Sequence, residues 1–165
     1  VSLTTAEVDA AEFRQALARF ASGVTILTTR GADAQDYGMT ASSFTSLSLS
    51  PPLILVCIDR SATMHGAVAV DRPLNVHILR AEQASLSNQF AREKGDRFQG
   101  VAATRDARGV LQLDDALAQL SCRITALHSG GDHTIVVAAV ERTTVTDGDP
   151  LLYYRGAYAS LDVRR

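Results

Sequence analysis

GMTASSFTSLSLSPPLILVCIDRS, residues 38–61, is the stretch on which the fold turns. It opens with a small, hydroxyl-rich segment free of charge, containing Thr40, Ser42 and Ser43. It then reaches Pro51-Pro52, where neither residue has an N–H and Pro52 biases Pro51 towards extended geometry, so regular pairing stops before Leu53. Leu53 to Ile58 is nearly continuous apolar, too short for a helix, and ends in the polar turn Asp59-Arg60-Ser61. That pattern predicts a central strand buried on both faces. Between the two, Thr45, Ser46, Ser48 and Ser50 alternate with Leu47 and Leu49, a period of two that predicts one apolar and one wetter face. The hydroxyls and N–H groups of residues 40–43 would then be anchored by a rigid strand and could hold the polar edge or phosphate of a ligand. The plain alternative is a β-bulge or a turn of small residues.

Upstream, Phe13, Ala16, Leu17 and Phe20 recur at helical spacing, with Arg14, Gln15 and Arg19 off that face. They predict an amphipathic helix from Ala6, capped by Thr5 and stopped near Gly23. Val24 to Thr29 is rich in β-branched residues and reads as a strand, and residues 30–37 read as a polar turn. Downstream, Ser61 is the expected cap of a short helix that Asp71-Arg72-Pro73 breaks. Leu74 to Leu79 reads as a strand. Glu82 to Ala91 reads as a helix with Leu86 and Phe90 on one face. Lys94 to Phe98 reads as a surface loop, and residues 101–107 carry little pattern. Residues 109–113, 117–127, 134–145 and 151–154 read as strands, separated by turns at Gly130-Gly131-Asp132-His133 and Asp147-Gly148-Asp149-Pro150. The ordered part is expected to end at Arg155-Gly156-Ala157-Tyr158.

Strands that do not alternate with long helices exclude a doubly wound sheet, and no GxGxxG stands behind a strand. The expected fold is mainly β: a closed or nearly closed antiparallel barrel with short peripheral helices, one domain over residues 1–165 with its core at about 13–161.

With 16 Lys+Arg against 18 Asp+Glu and a formal charge of -2, the chain has no basic field for many phosphates, so nucleic acid is not an expected partner. Cys57 and Cys122 each lie in an apolar run and read as small buried hydrophobes, not a disulfide or metal pair. The lack of a cysteine framework fits a reducing cytoplasm. No apolar run approaches the ~20 residues that span a bilayer, and Val1 to Asp9 lacks the regions of a signal peptide, so no membrane association is expected. The histidines are His65, His77, His128 and His133; with neither HExxH nor a Cys–His cluster, no metal is expected.

Other positions offer binding chemistry. Asp59, Arg60 and Ser61 are either a simple turn or a place where Arg meets a phosphate. Lys94 and Arg97 beside Phe98 pose the same choice, the alternative being a surface cluster with Glu93 and Asp96. His133, before an apolar strand, is either a turn residue or a donor to an anion or carbonyl. Tyr153, Tyr154 and Tyr158 flank Arg155-Gly156 as an amphipathic edge for a planar ligand or a partner subunit.

Five segments in order carry a resemblance. They are Phe13-Arg14 with Phe20 to Thr25, Gly38 to Phe44 with Ser48 and Pro51-Pro52-Leu53, Asp59-Arg60-Ser61, Gly131 to Thr134, and Pro150 to Tyr158. Over about Phe13 to Leu161 the chain resembles the flavin reductase domain family, the small reductase component of two-component flavin-dependent monooxygenases. The resemblance implies a split β-barrel of the FMN-binding type and a homodimer. It implies NAD(P)H-dependent reduction of FMN or FAD, with reduced flavin diffusing to a separate flavin-dependent oxygenase. No Arg-rich loop marks a 2′-phosphate site, so NADH is expected over NADPH.

Carried over by motif, Thr40, Ala41, Ser42 and Ser43 would meet the flavin's ring edge and ribityl chain. Asp59, Arg60 and Ser61 would lie along its ribityl–phosphate side, and Asn88, Lys94 and Arg97 near the phosphate. His133 would stand on the nicotinamide side as the candidate catalytic residue, and Tyr158 would close the site, from either subunit. Where many relatives read Phe-x-Val-Asn-Val-Leu, this chain has Leu74-Asn75-Val76-His77-Ile78-Leu79. His77 thus takes the motif's Asn position as a candidate cofactor contact, with Asn75 on the same face. A flavin-binding module without turnover, a reductase for a metal chelate or corrinoid, and a ligand-free barrel dimer are the competing readings.

Overall fold

The computed structural model describes residues 8–92 and 94–162. Helix α1 (Ala10–Leu17) is capped by Asp9, whose carboxylate accepts from Ala11 N–H. The predicted cap, Thr5, lies outside the described residues. The helix ends at Ala18, before the predicted stop, because Gly23 is taken up in strand β1 (Ser22–Gly23). There follow β2 (Thr25–Arg30), β3 (Asp36–Ala41), β4 (Thr45–Leu49) and β5 (Pro52–Asp59). A 3-10 turn (Thr63–Ala67) leads to β6 (Pro73–Ile78), and a second turn (Ala81–Gln83) leads into α2 (Ala84–Ala91). The first turn has no side-chain cap, so Ser61 does not play the part predicted for it; its hydroxyl and N–H are bonded to Asp59 instead. The weakly patterned residues after 100 form a hairpin, β7 (Ala103–Arg105) with β8 (Leu111–Leu113). Long strands β9 (Ala118–Gly130) and β10 (His133–Val145) come next, then β11 (Leu152–Tyr154) and β12 (Ala157–Ala159).

Seven strands pair antiparallel in the order β3-β2-β6-β9-β10-β5-β4, and β1, β11 and β12 form a small second sheet. The connectivity requires curvature. Strands β3 and β4 stand at opposite ends of the large sheet, yet only residues 42–44 join them. That link reaches at most about 14 Å, whereas the ends of a flat seven-stranded sheet would lie about 29 Å apart. The sheet therefore rolls until its ends meet. Ser43 fastens the crossing: its hydroxyl donates to Cys57 O (2.8 Å) and accepts from Cys57 N–H (3.1 Å) on β5.

The barrel interior is filled by Leu27, Ile54, Val56, Ile58, Met64, Leu74, Val76, Ile124 and Val136. A second core, of Val24, Ile26, Leu79, Phe90, Leu113 and Leu151, lies where α2 and the β7–β8 hairpin cover the outside of β2. Burial on both faces, predicted for β5, occurs instead in β2 and β6. In β5, Ile54, Val56 and Ile58 face the interior while Leu55 and Cys57 remain half-covered outside. Cys122 is buried, its thiol pushed up to about 12 by burial, and both cysteines are free. The apolar face predicted for β4 is left uncovered, with Leu47 and Leu49 both exposed, and a register shift falls between Ser46 and Ser48. No helix among the described residues is long and apolar enough to cross a membrane.

Candidate functional site

The site begins at β3. Tyr37, Met39 and Ala41 pack against the barrel core, which sends the intervening positions, Gly38 and Thr40, towards α2. Gly38 is required there by close approach. A Cβ at this position would stand 2.6 Å from Phe90 and 2.9 Å from Phe98, whose rings pack edge to face with centroids 5.1 Å apart. Thr40 donates its hydroxyl to Ser87 O of α2 at 2.6 Å, locking helix to strand.

Two recesses meet along this line. One, of about 310 Å³, is lined by Val24, Thr40, Ser42, Ser87, Asn88, Tyr153 and Tyr158. The other, of about 570 Å³, is lined by Met39, Thr40, Asp59, Ser61, Thr63, Lys94 and Arg97. Thr40 and Ala91 border both, so they form one groove. Of the residues singled out in the sequence, Thr40, Ser42, Asp59, Ser61, Asn88, Lys94, Arg97 and Tyr158 line it.

Tyr158 reaches the groove through a two-residue hairpin in which Arg155 and Gly156 both have positive φ, the geometry of a type I′ turn. Its Oη lies 2.8 Å from both Ser87 Oγ and Asn88 Oδ1. The amide oxygen only accepts, so the phenol proton goes to Asn88 and the Ser87 hydroxyl donates to Tyr158. Tyr153 packs edge-on against the same ring at 5.7 Å. Ser87, fully buried, is a functional neighbour that the sequence does not reveal, because nothing distinguishes it from the other small residues of α2.

At the other end, Asp59 accepts from Ser61 N–H and Oγ–H, each at 2.7 Å. Those bonds hold its carboxyl below the usual carboxylate range, with the neighbouring His133 and His65 adding to the effect. His133 stands directly opposite Asp59 across the β5–β10 ladder but is not among the residues that line the groove. Its Nδ1 is 2.6 Å from Asp132 Oδ1. Arg97 is fixed by backbone carbonyls: Nη1–H donates to Gly38 O (2.7 Å), and Nε–H and Nη2–H donate to Arg92 O. Among the described residues neither Arg97 nor Lys94 pairs with a carboxylate. The alternative of a surface ion cluster fails for Asp96, which accepts from Phe98 N–H instead; Glu93 lies outside the described residues. Two cations at one end of a hydroxyl-lined groove suit a phosphorylated ligand with a planar, polar-edged head.

Four expected contacts point elsewhere. Ala41 is buried with its side chain in the barrel core. Ser43 has its hydroxyl committed to Cys57 of β5. Arg60 swings outward to donate to Ser129 Oγ at 2.6 Å. His77 is the largest correction. It is wholly buried under the β7–β8 hairpin, its Nδ1–H donating to Ile26 O (3.0 Å) and its Nε2 accepting from Leu113 N–H (3.1 Å). Both ring nitrogens are used, and burial lowers its pKa to about 4. Asn75 shares that face and bonds Asp106 and Arg108, so the hairpin screens both residues from the groove. Among the described residues no group of three or more His, Cys, Asp or Glu could hold a metal.

The chain is similar to known proteins along nearly its whole length. It is 42% identical over 161 residues to an NADH-dependent flavin reductase of Rhodococcus sp, covering 95% of this chain and 89% of the relative. It is 42% identical over 151 residues to the reductase component of a 4-nitrophenol 4-monooxygenase/4-nitrocatechol 2-monooxygenase of Rhodococcus opacus, covering 92% of this chain and 80% of that one. Its structure superposes with a TM-score of 0.87 on the Streptomyces globisporus NADH:FAD oxidoreductase in complex with NAD and FAD fragments, at 34% identity and 93% coverage of both chains. Such neighbours share its split-barrel architecture. The flavin reductase like domain matches residues 17–162, and the chain belongs to that family.

Proposed function

We propose that this chain is an NAD(P)H:flavin oxidoreductase that reduces FMN or FAD and releases the reduced flavin to a separate monooxygenase. The observation that carries this reading is the groove with hydroxyl and amide groups at one end and, at the other, Lys94 and Arg97, which pair with no carboxylate among the described residues. A flavin fits that donor set: Thr40, Ser42, Asn88 and Tyr158 would bind along its ring edge and ribityl chain, Asp59 would accept from ribityl hydroxyls, and Lys94 and Arg97 would hold its phosphate. When bound, the flavin supplies the hydride-accepting centre.

The chain's own part is positioning. Tyr158, held by Ser87 and Asn88, forms one wall, and the Phe90–Phe98 pair sets the floor beneath β3. His133, oriented by Asp132 beside Asp59, would face the nicotinamide nucleotide. Hydride transfer between cofactors demands orientation more than a strong general base. NADH is the expected donor, and the single flavin reductase-like domain is taken to work in the cytoplasm.

We also propose a homodimer. Phe13, Leu17 and Phe20 of the α1 region are 55%, 55% and 79% exposed, and the helix buries no side chain in the monomer. An amphipathic helix without a covered face is explained by a second copy.

The direct test is anaerobic absorbance at the oxidised-flavin band after mixing protein, FMN or FAD, and NADH or NADPH. Catalytic bleaching that scales with protein supports the reading. Bound flavin that stays oxidised would reduce the chain to a binding module.

A further inference from the structure

A serine in a helix interior ordinarily points to solvent or bonds back to the carbonyl four residues before it. Ser87 does neither. Its side chain is fully buried in the middle of α2, and the one hydrogen bond of its hydroxyl among the described residues is to Tyr158 Oη, 2.8 Å away and 71 positions distant in the chain. Its backbone carbonyl is engaged as well, accepting from the Thr40 hydroxyl at 2.6 Å. One buried residue of α2 therefore ties together both walls of the recess that Thr40, Asn88 and Tyr158 line.

Those two bonds set the hydrogen-bond polarity of the groups that face a ligand. Tyr158 has one proton to give, and both Ser87 Oγ and Asn88 Oδ1 lie 2.8 Å from its oxygen. If the proton went to Ser87 and the Asn88 amide were turned over to donate, the buried Ser87 O–H would have no acceptor among the described residues. Buried donors are satisfied as a rule, so the relay runs from Ser87 to Tyr158 to Asn88. Asn88 then spends its oxygen on Tyr158, and its NH2 group, without a partner among the described residues, is the donor left for the recess. Thr40 is fixed in the opposite sense: its proton is committed to Ser87 O, so it offers the recess only lone pairs. Tyr158, with its proton and one lone pair engaged, contributes its ring.

We propose that Ser87 is a positioning residue of the flavin site. Through Tyr158 it holds Asn88 as a donor, and through its own carbonyl it holds Thr40 as an acceptor. The recess thereby selects a ligand that presents an acceptor to Asn88 and a donor to Thr40. The proposal rests on the flavin-reductase reading. A flavin meets the requirement, because its ring carries carbonyls beside an N–H group and its ribityl chain carries hydroxyls.

The test is a double-mutant cycle on the full chain, read by the quenching of flavin fluorescence as FMN binds. Ser87→Ala leaves the carbonyl that holds Thr40 in place, and alanine is the better helix former, so α2 is kept; thermal unfolding checks this. We expect Ser87→Ala to weaken FMN binding about 5-fold and Asn88→Ala about 10-fold, each the loss of about one hydrogen bond. The double variant should bind no more than about twofold weaker than Asn88→Ala alone, because Ser87 acts only through Asn88. Polarity is read with riboflavin, which has no phosphate to repel a carboxylate. Asn88→Asp keeps an acceptor for Tyr158 and loses the donor, so it should bind riboflavin as weakly as Asn88→Ala does. Losses that add in the double variant, a change below about twofold in Ser87→Ala, or wild-type riboflavin affinity in Asn88→Asp each overturn the assignment. Should Ser87→Ala not fold, Tyr158→Phe keeps the ring, breaks the same relay and takes its place in the cycle, with the same expected result. Wild type that binds neither FMN nor FAD overturns the reductase reading itself and is recognised by that absence.

Discussion

His77 shows how a single buried side chain couples stability to pH. Its Nε2 must stay unprotonated to accept from Leu113 N–H, and its pKa falls from 6.5 to about 4 through burial. A histidine whose folded pKa is depressed binds fewer protons in the native state than in the unfolded chain between those two values. Stability therefore rises with pH across that window and is lost as pH falls through it, by on the order of 3 kcal/mol for a depression of that size. Urea titrations at pH 7, 5.5 and 4.5 should show this slope, and His77→Gln should flatten it. The hydrogen-bonded carboxylates Asp36, Asp59, Asp106 and Asp132 have lowered pKa values, so their contributions disappear only at more acid pH, below the 3.8 of the free group. Gly38 makes the steric counterpart. Gly38→Ala would drive a methyl into the Phe90–Phe98 pair, of which Phe90 is 1% exposed. We expect a loss of about 1–3 kcal/mol in thermal unfolding, typical of overpacking.

At the level of elements, the β7–β8 hairpin is held by a polar network as well as by the buried Val110 and Leu113. Arg108 donates to Asp106, Asn75, Cys122 O and Glu141, bridging the hairpin to β6, β9 and β10. Thr28 Oγ–H donates to Leu111 O from beneath. Arg108→Ala would leave Asp106 largely covered and without its cation. We expect about 2–3 kcal/mol of destabilisation, discounted from the range for buried pairs because the Arg108 side chain keeps 20% exposure. Hydrogen exchange should find the Leu113 amide deprotected well before the β9–β10 ladder. The α1 face carries its own expectation: Leu17→Arg should shift the chain from dimer towards monomer in light scattering, with its circular dichroism kept, since Leu17 is 55% exposed.

For the whole molecule, the rolled sheet matters because it carries β3, β5, α2 and the β11–β12 hairpin to one groove. Its charged groups, Lys94, Arg97 and the Asp59 carboxylate, gather in one recess, and neutral hydroxyls line the other. Lys94→Gln should weaken FMN binding by about 5–10-fold, as expected for one exposed charge-assisted bond. Riboflavin, which lacks the phosphate, should be little affected, and the difference between the two ligands should shrink at high salt. Equal losses for both ligands would show that Lys94 shapes the loop and does not meet a phosphate.

Local signals in the sequence were enough for most of the strands and the hairpin turns, and the family resemblance pointed to most of the residues that line the groove. A period of two, β-branched runs and Gly-rich turns are read within a few positions, and Thr40, Asp59, Lys94 and Tyr158 sit in segments that such chemistry already marks. What covers each face came from the folded chain alone. Asn75 and His77 share a face by strand geometry, but that this face is roofed by the unpatterned residues after 100 depends on contacts over 30 positions away. Ser87 gained its role from a tyrosine 71 residues distant. Ser43 and Arg60 resemble their neighbours in sequence and differ only in direction, one stitched into the barrel seam and the other turned out to Ser129. Side-chain alternation is set within a strand, whereas the surface that meets it is set by closure of the sheet, which no local run encodes.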